Sequence, residues 1–149
     1  MQKVLWLLLL LVGFTGMSRA DITTAADNIT PEPKEQTLFI FGVSQNLRDS
    51  VAYVTDIVAI TAPNLLQKKF FTDRDLYAEQ LRVYVEQTFA SPHQTAVVFY
   101  DKKIVKLEKM RQKLRIKLAG QKLGLDKIVV KDIFKDQFQF KKLEVAGSN

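Results

Sequence analysis

From Thr37 to Ser44 and again from Ser50 to Ile60 most positions are β-branched or aromatic, and the polar stretch Gln45-Asn46-Leu47-Arg48-Asp49 separates the two runs. This pattern predicts a hairpin with a five-residue polar loop. The usual alternation of apolar and polar positions is missing. Leu38 and Ile40 point to one side of their strand and Phe39 and Phe41 to the other, while Val51 and Tyr53 oppose Ala52 and Val54. Strands that are apolar front and back need cover on both faces of the sheet.

After Pro63, which breaks the second strand, the apolar period changes to that of a helix. Thr72-Asp73-Arg74-Asp75 predicts its entry as a hydroxyl cap with an acid three residues on. Tyr77, Leu81, Tyr84, Val85 and Thr88 form one stripe, and the helix should end near Ala90, before Ser91-Pro92. Thr95 to Tyr100, TAVVFY, is a continuous apolar run bounded by turn signals and predicts a buried strand. A second helix is expected from about Lys102 to Ala119, with Ile104, Leu107, Met110, Leu114 and Leu118 on one side and Gly120 as its stop. Ile128 to Ile133 reads as extended, and Phe138-Gln139-Phe140-Lys141 alternates as an edge strand with one wet face would.

The fold class expected is therefore α/β, a small mixed sheet with the order hairpin, helix, strand, helix, strand. Right-handed crossovers that leave the third strand in opposite directions place the helices on both faces, which answers the need for cover. The alternative is a two-layer α+β sandwich whose bare apolar face a partner or a second copy would hide.

The N-terminus changes the picture. MQKVLWLLLLLVGFTGMSRA has a basic start at Lys3, an apolar run from Val4 to Val12 and the small-residue exit Ser18-Arg19-Ala20. That is the anatomy of a secretory signal peptide, with cleavage expected after Ala20 and a periplasmic or secreted product. A run of nine apolar residues falls short of the ~20 that cross a bilayer, so the product is not expected to span a membrane. Residues 21–36, polar and carrying Pro31 and Pro33, read as a flexible leader; 37–145 as a single globular domain; 146–149 as a tail. The chain has no cysteine, which excludes disulfides, thiol nucleophiles and thiolate metal sites.

Charge adds one more feature. Without Lys3 and Arg19 the basic residues fall from 22 to 20 against 16 acids, a net +4. Lys102, Lys103, Lys106, Lys109, Arg111, Lys113, Arg115, Lys117 and Lys122 stand against Glu108 alone, a local +8 that leaves the rest of the mature chain at −4. Such asymmetry makes one side a cationic field for polyanions. No aromatics are interleaved for base stacking and an exported protein seldom meets nucleic acid, so an envelope protein or an anionic polysaccharide or lipid surface is the expected partner. The first eight of these residues are the candidate binding set. The competing reading is a solvated amphipathic helix whose lysine stems cover the edge of the core. A helix lying on a membrane would also carry Trp or Phe on its apolar side, and this one has neither.

Other chemistry is sparse, and no catalytic set, cofactor motif or metal cluster is expected. Asp73 and Asp75 fit the positive end of a helix without a metal. Asp101 follows a strand directly, where open α/β sheets place ligands, and anchors the rival reading of a carboxylate-dependent periplasmic hydrolase provided a second acid or His93 joins it. His93, the only histidine, sits in a polar turn. Asp49-Ser50-Val51 matches an acid, hydroxyl, small-apolar triplet that some Gram-negative bacteria O-glycosylate, making Ser50 a candidate modification site. Its plain alternative is an acid closing the hairpin loop.

The strand Thr37-Leu38-Phe39-Ile40-Phe41-Gly42-Val43, the Asp49-to-Ile57 stretch, the Tyr77-to-Tyr84 helix, the Val97-Val98-Phe99-Tyr100 strand and the lysine-rich helix together resemble a group of small exported proteins of Gram-negative bacteria with no assigned function. The resemblance spans about Thr37 to Glu144. It implies export and a single domain, and it carries over no activity and no catalytic residue.

Overall fold

The computed structural model describes residues 34–143. The expected signal segment, all but the last residues of the expected leader, and the tail lie outside them. Strands β1 (Glu35–Gln45), β2 (Val51–Thr55), β3 (Val58–Pro63), β6 (Thr95–Asp101) and β9 (Val129–Ile133) form one mixed sheet. Short hairpins β4 (Leu66–Gln67) with β5 (Phe70–Phe71) and β7 (Lys122–Leu123) with β8 (Asp126–Lys127) decorate it, and helices α1 (Arg74–Thr88) and α2 (Ile104–Ala119) complete the fold. The expected α/β class holds.

β1 is the axis of the sheet. It pairs antiparallel with β2 and β3 along one edge and with β6 along the other, and β9 joins β2 in parallel. The chain therefore crosses from β3 over β1 to β6 by way of α1, and then back from β6 to the far edge at β9 by way of α2. Reversing direction at β6 while keeping one hand of crossover requires the second helix to take the opposite face. The two cores show that it does. Tyr77, Leu81 and Val85 of α1 pack with Leu38, Ile40, Tyr53, Ile60 and Val98. Leu107 and Leu118 of α2 pack with Phe41, Ala52, Val54 and Ile128, flanked by Phe39, Val43 and Phe99. Leu38, Ile40 and Phe41 are fully buried as a result.

The second hairpin strand is not continuous. Val43 faces Val54 and Ile40 faces Val58, so two residues of β1 are spanned by three, Thr55, Asp56 and Ile57, on its partner. This is a β-bulge, which bends the strand and resets its alternation. Val51 and Tyr53 before the bulge and Val58, Ile60 and Ala62 after it all reach the α1 side. The Thr55 hydroxyl accepts the Gly42 N–H at 2.8 Å, supplying a partner that the interrupted ladder lacks.

Three expectations are corrected. β1 begins at Glu35, two residues before the strand expected from Thr37, because Glu35 and Gln36 pair with Pro63 and Ala62. The hydroxyl cap of α1 does not form: Asp73 takes the cap position at φ 56°, and the Thr72 Oγ1 is buried without a partner among the described residues. Gly120 does end α2 as expected, in right-handed backbone at φ −83°. Phe138 to Lys141 is no strand. Its aromatics instead close over α1, with Phe140 edge-on to Tyr77 and Phe138 tilted against Tyr84, while Gln80 holds Lys141 by both its amide groups.

Candidate functional site

α2 carries the basic set, and the fold divides it by direction. The inward side of the helix is fixed by Leu107, Met110, Leu114 and Leu118, which pack on the sheet. Arg111 lies beside that stripe and is drawn to the bulge, where Nε donates to the Thr55 carbonyl at 2.7 Å and Nη2 lies 3.2 Å from Asp56 and 3.0 Å from Asp132. Arg115 donates Nη2 to the second oxygen of Asp132 at 2.6 Å. Arg111 and Arg115 thus tie α2 to the bulge and to β9. Of the eight candidate binding residues, these two have their guanidinium groups engaged inside the domain. Sequence reasoning missed this because Asp56 and Asp132 are distant in the chain and nothing in either strand marks them as partners for a helix.

Lys102, Lys103, Lys106, Lys109, Lys113 and Lys117 are exposed. Lys106 pairs with Asp101 at 2.7 Å, and the other five have no carboxylate partner among the described residues. Lys109, Lys113 and Lys117 stand four apart, in one row along the helix, where like charges repel by a few tenths of a kcal/mol per pair.

A cleft lies at the carboxyl end of β6, where α2 begins. Lys69, Lys102, Lys103 and Lys106 line it together with Gln36, Leu38, Leu66, Tyr100 and Asp101, enclosing about 560 Å³. Lys69 comes from the two-residue turn of the β4–β5 hairpin, in which Lys68 and Lys69 have φ 49° and 84°. Left-handed backbone costs a non-glycine residue on the order of 1 kcal/mol. The hairpin is held in place through Tyr100, whose hydroxyl donates to the Lys69 carbonyl at 3.2 Å and accepts the Phe71 N–H at 3.3 Å. At this corner Phe70 is 75% exposed while Phe71 beside it is buried.

α2 begins without the usual aids. Lys103 occupies its cap position with no side-chain hydrogen bond, and its first turn holds no acid. Asp101 partly compensates, since Oδ1 accepts the Lys103 N–H at 3.0 Å while Oδ2 meets Lys106. The Lys106 ammonium and then the Lys103 N–H hold the Asp101 carboxyl below the usual carboxylate range. Among the described residues the cleft lining contains no second acid and no histidine, one of which the hydrolase reading required beside Asp101. Among the described residues no three His, Asp or Glu side chains converge as a metal site.

The remaining sequence candidates lie elsewhere. His93, at φ 59°, borders a shallow groove with Asn46, Leu47, Arg48 and Thr95, without an acid. Ser50 is half-buried at the end of the hairpin loop, and its carbonyl accepts the Val129 N–H at 2.7 Å. Asp49 closes that loop through its N–H to the Asn46 carbonyl. Asp73 and Asp75 sit at the entry of α1. No helix of the described residues is long and apolar enough to cross a membrane. No protein-family model, no curated protein and no solved structure matches this chain.

Proposed function

We propose that this domain works by contact and not by catalysis, docking on an anionic surface of the cell envelope through the exposed lysines of α2 and the cleft at its start. The observation that carries the reading is the imbalance on that face. Six exposed lysines, Lys102 to Lys117, have Asp101 as their one carboxylate partner among the described residues, while both arginines of the helix are spent on internal acids. Unpaired like charges along a helix raise its energy, and a polyanion relieves that repulsion while releasing its own counterions. Export, expected from the N-terminal segment, would bring the domain to phosphate- and carboxylate-bearing polymers and headgroups.

Retention on a dextran sulfate matrix tests it. The wild-type protein should elute at a salt concentration that falls sharply when Lys109, Lys113 and Lys117 are changed together to Glu, with the helix content unaltered. Elution that ignores those three reversals, or that is insensitive to salt, rejects the cationic face and leaves a salt-resistant protein partner as the better account.

A further inference from the structure

The exposed lysine row offers charge, yet the same corner also offers apolar surface, and a soluble polyanion has no use for that. Phe70 is 75% exposed at the first position of β5, directly after the Lys68-Lys69 turn of the β4–β5 hairpin. Ile104 and Val105, exposed by 39% and 59%, open the helix whose first lysines line the same cleft as Lys69. A lone exposed apolar residue means little. Here the ring is set out by a turn with two successive non-glycine residues at positive φ, and Tyr100 hydrogen bonds clamp that turn against the sheet. The strain is held at the turn that directly precedes the exposed phenylalanine.

An exposed aromatic ring that directly follows two lysines, on a hairpin whose Lys69 lines a cleft with Lys102, Lys103 and Lys106, suits the boundary between headgroups and acyl chains of an anionic bilayer, where the ring enters the apolar layer and ammonium groups stay at the phosphates. Because the apolar side of α2 is turned into the core, the helix does not lie in the interface as an amphipathic anchor would. The aromatic group missing from its sequence is supplied by another element. We propose that this domain docks on anionic lipid bilayers through the Phe70 hairpin, with Lys68, Lys69, Lys102 and Lys103 on the headgroups and Lys109, Lys113 and Lys117 adding longer-range attraction. The proposal rests on the anionic-contact reading and narrows its target to lipid.

The chain has no cysteine, so Gln67→Cys gives a single labelling position beside the tip. An environment-sensitive dye there, in the full chain, should shift to the blue on vesicles containing phosphatidylglycerol and not on phosphatidylcholine alone. The second vesicle also accounts for any binding through the apolar run of residues 4–12. A dye at Thr88→Cys should not respond. Phe70→Ser should weaken binding to the phosphatidylglycerol vesicles about tenfold and leave dextran sulfate elution unchanged. If the Gln67 dye stays in water, or Phe70→Ser binds vesicles as the wild type does, lipid insertion is wrong, and lysine-dependent dextran sulfate elution would show that the broader reading survives. A Gln67 shift produced by envelope protein in place of vesicles overturns the lipid assignment equally.

Discussion

Arg111 reaches from α2 to the Thr55 carbonyl at 2.7 Å and so plugs the place where the second hairpin strand loses its ladder. The same guanidinium bridges Asp56, at the bulge, and Asp132 on β9. Three elements far apart in the chain are joined by one planar donor group. Arg111→Ala should lower unfolding stability by about 1–3 kcal/mol, because it takes a donor from the Thr55 carbonyl and a cationic partner from Asp56 and Asp132, leaving Asp132 with Arg115 alone. Arg111→Lys should recover little of it, since an ammonium cannot match the fork of donors. Chemical denaturation of both variants checks this; equal and small losses would mean that the network is only decoration.

Gly42 lies under α1. A methyl group at this position would collide with Leu81 Cδ2 and stand 3.1 Å from Phe140 Cζ. Leu81 is fully buried and has no room to retreat. Gly42→Ala should cost about 1–3 kcal/mol by overpacking. Combined with Leu81→Ala, it should cost less than the sum of the two single changes, a non-additivity measured by a double-mutant cycle.

Asp101 links stability to the proposed contact. Its carboxyl is held low in the folded protein by the Lys106 ammonium and the Lys103 N–H. The unfolded chain therefore takes up a proton first on acidification. Stability from this group is complete above the ordinary carboxylate range, near about pH 4, and is lost as pH falls through the lowered value. Asp101→Asn should flatten that acid limb in a pH series of denaturation midpoints. It should also raise the salt needed to elute the protein from dextran sulfate, because it removes the anion already seated among the cleft lysines. A variant that elutes earlier would contradict this electrostatic account.

Tyr53 and Tyr77, 3% and 2% exposed, resist ionisation. Burial raises both phenols, and Asp49 and Asp73 respectively add to the effect. In the unfolded chain each would lose its proton near about pH 10, so stability should fall as pH rises past that point. Absorbance titration should show two tyrosines ionising late and together with loss of the circular dichroism signal. Their ionisation ahead of unfolding would mean that the α1-side core, to which both belong, opens more readily than its packing implies.

Much of the fold was legible in local pattern. Leu38 with Ile40 and Phe39 with Phe41 require cover on two faces, and α1 and α2 provide it because the helical periods and the strand between them fix the order of elements. The alternation of Phe138 and Phe140 misled, since a period of two also arises in an extended segment that lays its rings over a helix without pairing to a strand. Thr72 misled for a related reason: a capping pattern states which side chain is able to bond, and the left-handed Asp73 turns the hydroxyl away.

The candidate site was legible only in part. The lysine density of Lys102 to Lys117 is a property of the chain itself, as are its charge asymmetry, its lack of cysteine and its apolar N-terminal run. Which of those bases face outward was settled by folding. Arg111 and Arg115 were drawn inward because the bulge brings Asp56, and the parallel pairing of β9 brings Asp132, beneath α2. Lys69 joined Lys102, Lys103 and Lys106 because Tyr100 anchors its hairpin to the end of β6. Periodicity and composition act over a few residues, so the sequence by itself determined the elements and the charge. Register, crossover direction and hydrogen bonds between distant segments act across the whole domain, and they alone decided which charges are neutralised and which remain free for a surface.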